Sequence, residues 1–521
     1  MISFLANVQH LLLRLGGWSL FAGIIYIVGI CIYRLYFHPL AKYPGPFFAK
    51  ITTWRAVYHG KSGDLHVDIW RCHQKYAPHR IVFASSTGFH DIYDFGKNVQ
   101  KSQSYRSIPL IKNAYSTLNV VDKKVHGRKR PILSQGLSDQ NLKLLEASLL
   151  KVVDHLCDRL SEKQDNFSPE VARDTEDGWT CAKNMAEWSD FYTFDVMTEL
   201  VFGRSFNTLD TNTHHYILDG IMSQMRRMSL LTEEPLIEKL HLGRFLYPGA
   251  MAKALRFSQA GRSIMEDRKR HPNPGAADIC TKLLSAKDPE TGEGFPFQEL
   301  WAESNLLIVA GSDTTYTAMA AAFFYLSRCP MALSQATHEI RRAFTSINDI
   351  RPGSPTLASC SYFRACIDEA MRLTLSVAGA LWREVLPGGA MVDGEFAPAG
   401  MEVGAGIYAL HHKATYFPDP FGFRPERWLA SSPGGKGVDP SAFAPFSAGP
   451  RSCVGKRLAM IEFTVVLARI LWRFDLRAAA GELGKVGEGK GVRVGEYHTD
   501  WRFTSKNDGP YIQFRERGVV V

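Results

Sequence analysis

The residues best equipped for chemistry lie in one short stretch, Phe446-Ser-Ala-Gly-Pro-Arg-Ser-Cys-Val-Gly455, which runs directly into an apolar helical pattern over Lys456–Phe474. A cysteine just before a helix start sits where the positive end of that helix favours its thiolate. Gly449 and Gly455 permit a tight loop whose backbone N–H groups can turn toward the sulfur, and Arg451 stands ready to meet an anion. A charged, shielded and hydrogen-bonded sulfur is what an axial thiolate on haem iron requires, because it pushes electron density onto the metal. Taken alone, Cys453 is better explained as an inert buried cysteine; the Phe, Gly, Arg and Gly at fixed offsets around it reverse that preference.

Other segments carry chemistry of their own. In Glu369-Ala-Met-Arg372 an acid and a base lie three apart on one helical face and can pair. Exposed pairs of that kind are common and worth little, so the spacing alone decides nothing. Ala310-Gly-Ser-Asp-Thr-Thr315 sits inside a helical pattern, where a glycine costs roughly 1 kcal/mol relative to alanine. Small Ala310 and Gly311 would let a flat macrocycle and dioxygen approach the backbone, and Asp313 with Thr314 could pass protons to them.

These side chains need a scaffold, and the pattern is mostly helical. Helical periodicity covers Gln140–Leu160, Ala186–Val201, Gln298–Ser327, Ser361–Leu373 and Lys456–Phe474. Strand-like runs are short: Arg80–Ala84, Ala390–Val392 with Glu395–Phe396, and Tyr511–Phe514. The expected fold is therefore mainly α with small β-sheets. The stretch Gly481–Gly495 holds six glycines and reads as a mobile surface loop.

Leu15 to Tyr33 contains no charged residue, and its 19 residues reach about 28 Å as a helix, near the hydrocarbon thickness of a bilayer. Trp18 at one end and Tyr33 and Tyr36 at the other suit the two interfaces. Arg14 precedes the span, whereas Arg34, Lys42, Lys50 and Arg55 follow it, so the long carboxy-terminal part is expected in the cytosol. His38 to Pro46 holds three prolines and reads as a stiff linker. The expected organisation is a short lumenal terminus over 1–14, a transmembrane anchor over 15–36, a Pro-rich linker over 37–50 and one catalytic domain over 51–521.

Composition excludes several alternatives. With 521 residues, 45% hydrophobic, 12% aromatic and 22% charged, the chain is neither disordered nor collagen-like. Lys+Arg 61 against Asp+Glu 52 leaves +9, but without a long basic block, so no nucleic-acid partner is expected. The nine cysteines are widely spaced with no CxxC, which speaks against a disulfide framework, a zinc site and secretion.

The FxxGxRxCxG pattern at Phe446, Gly449, Arg451, Cys453 and Gly455 resembles the signature of the cytochrome P-450 family, the haem-thiolate monooxygenases. The resemblance runs in order over residues 18–521, and the linker and spacing look most like fungal microsomal members of secondary metabolism. It implies the cytochrome P-450 fold, haem b with Cys453 as axial ligand, and Asp313 and Thr314 as the proton-handling pair. It further implies Glu369 and Arg372 locked to Arg427 of Pro425-Glu-Arg-Trp428, and haem contacts from Arg130, Arg383, Phe446, Arg451 and Gly455. Where the family carries tryptophan four residues before the first of these arginines, this chain has His126, which can still donate an N–H. After the ExxR pair, Leu375 and Ala378 stand in a stretch where the family often has prolines, so the pocket shape is expected to differ.

The expected reaction is insertion of one atom of O2 into a lipophilic small molecule such as a terpenoid, polyketide or alkaloid. The chain carries no dinucleotide fingerprint, so electrons are expected from an NADPH-cytochrome reductase, or from cytochrome b5, at the endoplasmic reticulum membrane. Lys123, Lys124, Arg128, Lys129, Lys456 and Arg457 are expected to form the docking patch. Substrate contacts are expected from Ser102–Leu118, Met222–Leu246, Leu307, Ile308, Val377–Leu381 and Ser505–Gly509, with part of Ser229–Tyr247 dipping into the bilayer. Two rival readings are a haem-thiolate isomerase or dehydratase acting without O2, against which the Asp313–Thr314 pair argues, and a non-catalytic membrane-bound haem sensor.

Overall fold

The computed structural model describes the chain except residues 1, 40, 42–44, 73–74, 78–79, 110–114, 165–166, 168–177, 272–277, 289, 430–437, 490–492 and 519–521. Lys42 and part of the expected linker and substrate loop lie outside the described residues.

One helix organises the body: Phe297–Arg328, 32 residues and about 48 Å long. Its second half is sheathed in protein, with Ala318 to Leu326 all buried. Met185–Phe202 packs along it, buried on nearly every side, and Gly311 makes their crossing close, since a Cβ there would lie 2.3 Å from the Met197 sulfur. The helices Glu146–Ser161, Ser361–Leu373 and Lys456–Arg473 complete the same core.

Strands form a separate layer. A five-stranded sheet runs in the order Lys75–Ala77, Arg80–Phe83, Glu402–Ala405, Arg383–Val385, Val99–Lys101. Within it Arg80–Phe83 and Glu402–Ala405 pair in parallel, Arg80 opposite Glu402. Tyr511–Glu516 lies between Lys183–Asn184 and Phe474–Ala478, and Ala390–Ala397 and Asp500–Lys506 form two separate hairpins, the second packed into the interior through Trp501 and Ser505. Buried Arg80 ties this layer to the end of helix His215–Glu233, bonding Glu402 and the Thr232 and Glu233 carbonyls at 2.9 and 2.8 Å.

The mainly α reading holds, with local corrections. The expected Gln140–Leu160 helix breaks at Leu145 into Asp139–Leu144 and Glu146–Ser161. Lys123–Gly136 is helical despite Gly127 and Pro131, which had masked its pattern. The Gly481–Gly495 stretch has local structure over its described part, beginning with a 3-10 turn over Gly481–Lys485. Arg328 donates to the Gly484 carbonyl at 2.5 Å, Glu488 bridges to Tyr497, and a Cβ on Gly484 would lie 2.0 Å from the Ala479 carbonyl oxygen.

At the other end the chain starts in a helix, Ile2–Ile32, that continues as one π-helical turn through Phe37. Gln9–Phe37 is long and apolar enough to cross a membrane, and its hydrophobic window is not buried against the body. Arg34 donates to the Ile51 carbonyl at 2.5 Å, fixing the exit of this helix against the start of the body. Phe47, Phe48, Tyr58, Leu240 and Phe245 are exposed in the segments nearby. The helix Trp54–Ser62 shares a core, through Val57, with Leu230, Leu231 and Ile237.

Candidate active site

The loop before Lys456–Arg473 is shaped by its own backbone. Ser447 and Gly449 have φ of 57° and 65°, and the Cys453 N–H donates to the Phe446 carbonyl at 2.9 Å, closing the turn. No side chain can replace Gly449, whose Cβ would stand 1.9 Å from the Tyr93 carbonyl oxygen. The loop presents the Cys453 sulfur to an internal cavity, and among the described cysteines it alone lines that cavity. Burial pushes the Cys453 thiol up, against the pull of the Gly455 and Lys456 backbone N–H groups and Arg130. The Gly455 and Lys456 N–H groups thus favour the thiolate as the sequence suggested, while burial opposes them. A metal ion on the sulfur would ionise it, since a coordinated thiol is deprotonated outright.

The cavity has a volume of about 310 Å³ and lies between this loop and the central helix. Leu307, Val309, Ala310 and Thr314 form one wall; Phe446, Cys453 and Gly455 form the other. Ala310 is exposed although it sits in the middle of a 32-residue helix, because it faces this space. The Thr314 hydroxyl donates to the Ala310 carbonyl at 2.7 Å, and the Ser376 hydroxyl donates to the Thr314 carbonyl at 2.6 Å. Asp313 does not reach the cavity wall. Its carboxyl is buried behind Thr314 beside Thr504, its Oδ2 without a hydrogen-bond partner, and burial raises its pKa to about 7.

Of the regions expected to touch substrate, Thr117, Leu118, Met225, Met228, Leu307, Val377 and Leu381 line the cavity. Ile308 does not; one helical step turns it into the core, and Val309 faces the space instead. Likewise Phe503 and Thr504 line it rather than Ser505–Gly509.

One edge of the cavity is basic. Lys101, His126, Arg130 and Arg451 line it, and Arg383 lies just behind, held by the Leu381 and Trp382 carbonyls and against the Tyr93 ring. Arg130 donates to the Ser452 carbonyl at 2.6 Å; Arg451 donates to the Val120 and Val121 carbonyls at 2.8 and 3.1 Å. The cations face carbonyls here rather than carboxylates. Burial, then the neighbouring Arg451, Lys101 and Arg130, lowers the His126 pKa to about 3, so its ring is neutral and one nitrogen can donate. Burial and Arg383 lower that of Arg451 to about 10. Asp122 is the acid acting on Arg451 here, and the excess of positive charge suits an anionic ligand group at this edge. Lys101 was not legible in the sequence: it is one residue of a three-residue strand, and only its burial marks it.

Behind the loop, Glu369 is buried and fully satisfied. Arg372 grips it through both oxygens at 3.0 and 2.9 Å, and Arg427 Nε, Trp428 Nε1 and the Arg424 N–H add bonds at 3.0, 2.9 and 3.0 Å. Arg372 and Arg427 spend their remaining N–H groups on the carbonyls of His411, Pro418 and Pro420. None of these three residues touches the cavity, so they position rather than react.

Together these features define a largely apolar cavity with a sulfur on one side, a helix on the other and a basic rim. The chain matches the family model "Cytochrome P450" over residues 43–492. It is 46% identical to cytochrome P450 monooxygenase apf7 of Gibberella fujikuroi, with 96% of this chain and 98% of the relative aligned. It is 38% identical to cytochrome P450 monooxygenase AKT7 of Alternaria alternata over 94% and 95% of the two chains. In fold it is similar to the crystal structure of the cytochrome P450DA haem domain, with a TM-score of 0.69 at 20% identity, covering 88% and 94% of the two chains. The chain belongs to the cytochrome P450 family and is a haem-dependent monooxygenase. The cavity fits that cofactor: its lining is mostly apolar, the Cys453 sulfur opens onto it, and basic residues at one rim would suit two carboxylates.

Proposed function

We propose that Cys453 is the axial ligand of haem and that the enzyme oxidises a neutral, lipophilic small molecule in a fungal biosynthetic pathway. The observation that carries this reading is the Cys453 sulfur opening onto the cavity opposite Ala310 and Thr314, with cations gathered at one rim. When bound, haem supplies the reductive activation of dioxygen. Arg130, Arg451, Lys101 and the His126 N–H would hold its carboxylates, and Phe446 and Gly455 would shield the sulfur. Thr314 presents a hydroxyl to the reacting side, and Asp313 behind it holds or releases a proton near neutral pH. Met225, Met228, Leu118, Val377 and Phe503 exclude water and suit an apolar substrate. Cytochrome P450 monooxygenases of fungi among the relatives support the fungal reading. The test is the spectrum of the purified, reduced, CO-treated protein: thiolate ligation gives the red-shifted Soret band, and a neutral ligand or no ligand gives none.

Replacing Asp313 by asparagine is expected to cut product by about 10²-fold, the lower end of general acid–base contributions. It is also expected to stabilise the fold in alkali. The folded pKa of about 7 lies above the unfolded carboxyl value, so the folded state binds this proton more tightly. Stability from the protonated carboxyl is present at acid pH and is lost as pH rises through 7. Urea midpoints of wild type and Asp313→Asn should coincide near pH 4 and separate by pH 8, with the variant higher.

The domain reading places the anchor over 15–36 in the endoplasmic reticulum membrane and the body over 51–521 in the cytosol, with an NADPH-dependent flavin reductase as electron donor. The docking patch is narrower than the sequence suggested. Lys129 is buried, within 3.2 and 3.5 Å of Glu299 and Glu303, Arg128 pairs with Glu299 at 2.7 Å, and Arg457 pairs with Asp139 at 2.6 Å. Lys123, Lys124 and Lys456 stay exposed around the thiol loop and its neighbouring helix. Lys124→Glu with Lys456→Glu should slow reductase-supported turnover roughly 10-fold at low salt and flatten its salt dependence. Turnover unchanged in both respects would place the donor elsewhere.

A further inference from the structure

Asp313 is buried and does not line the cavity, so it needs a path by which its proton is replaced. The helix Met185–Phe202 lies against it. The Thr193 hydroxyl stands 3.2 Å from the Asp190 carbonyl and 3.1 Å from the Ser312 carbonyl, joining the two backbones one residue from Asp313. Asp190 is half-buried, and its acidic neighbours Glu187 and Asp219 are exposed. On these two helices the Ser189 and Thr315 hydroxyls, like Asp313 Oδ2, are buried without a protein hydrogen-bond partner. Such groups are ordinarily satisfied by ordered water.

The charged surroundings of Asp190 come from four elements: Glu187 on its own helix, Asp313 on the central helix, Lys506 on the Asp500–Lys506 hairpin and Asp219 on His215–Glu233. Tyr316 stands beside both carboxyls, its hydroxyl donating to the Ser505 carbonyl at 2.9 Å. Acids outnumber the one lysine, and burial together with the Asp313 charge raises the Asp190 pKa to about 8. Burial raises both carboxyls toward neutrality, and the Asp313 charge adds to the rise at Asp190.

We propose that Asp190 is a relay residue that takes protons from solvent at the Glu187 and Asp219 face and hands them to Asp313 for Thr314. The proposal rests on the reading of Asp313 and Thr314 as proton-handling groups. Inserting one oxygen atom into a C–H bond releases the other as water and consumes two electrons, supplied by a flavin reductase, and two protons. Each hop breaks one carboxyl O–H and forms the next, and solvent refills Asp190, so both carboxyls finish as they began.

The test uses full-length, haem-loaded protein for isotope-edited infrared titration of aspartyl carboxyls, and replacement strains of the native host for product. In the wild type, two aspartyl C=O bands should titrate near neutral pH. In Asp313→Asn the remaining Asp190 band should titrate lower, its neighbouring charge having gone. Product should fall about 10-fold in Asp190→Asn, recover in Asp190→Glu, and be no lower in the double variant than in Asp313→Asn. Normal product in Asp190→Asn alongside a loss in Asp313→Asn would overturn the relay and leave the role of Asp313 standing. Normal product in both would overturn the role of Asp313 and the relay with it. Should Asp190→Asn not fold, the wild-type spectrum decides: an Asp190 carboxyl already ionised at pH 6 contradicts the relay.

Discussion

Cys453→Ser is expected to give a folded protein that retains little haem and makes no product. The sulfur lines the cavity and takes no part in packing, and the turn is closed by the Cys453 backbone N–H, which serine keeps. Stability should therefore move by no more than about 0.5 kcal/mol, as for sites outside a packed core. Chemistry should collapse, because a serine hydroxyl is a hard, scarcely ionised ligand that cannot donate as a thiolate does. Urea midpoint, haem content and the reduced CO spectrum separate the two effects. A variant with full haem content, an unchanged spectrum and normal product would remove Cys453 from the site.

Glu369→Gln should do the reverse, destroying the fold while touching nothing in the cavity. Glu369 is wholly buried and is the carboxylate shared by Arg372 and Arg427. Glutamine keeps the shape but leaves two buried guanidinium groups without their counter-charge. Breaking a buried pair from one side costs about 3–5 kcal/mol, against a total stability of about 5–15 kcal/mol. Soluble yield should drop sharply, and the urea midpoint of what remains should fall with haem present or absent. A midpoint equal to wild type would show that the network is not a lock.

Much of this site was legible in the chain. The loop signature led to Cys453, and the ExxR spacing with Arg427 led to a network that the structure completes with Trp428 and the Arg424 backbone. The long helical period of Gln298–Ser327 matched Phe297–Arg328 within a residue at each end, because its apolar face is continuous. Other parts depend on contacts between distant segments. Lys101 lies in a strand too short to show a period, and its importance comes from the Leu118 carbonyl and Tyr105 ring it meets. Lys129 reads as one more surface cation until Glu299 and Glu303 come beside it. The Asp190–Asp313 juxtaposition joins residues 123 positions apart through a helix crossing, which no local pattern encodes.

The central claim is that this chain inserts an oxygen atom from dioxygen into a lipophilic metabolite. It is tested most directly by feeding the native host isotopically labelled O2 and comparing its metabolites, by mass spectrometry, with those of a Cys453→Ser strain. The account predicts a product that carries one labelled oxygen in the wild type and disappears in the variant, with an unlabelled precursor accumulating in its place. A product lost in the variant but bearing no label in the wild type would contradict oxygen insertion and point to rearrangement or dehydration at the same haem.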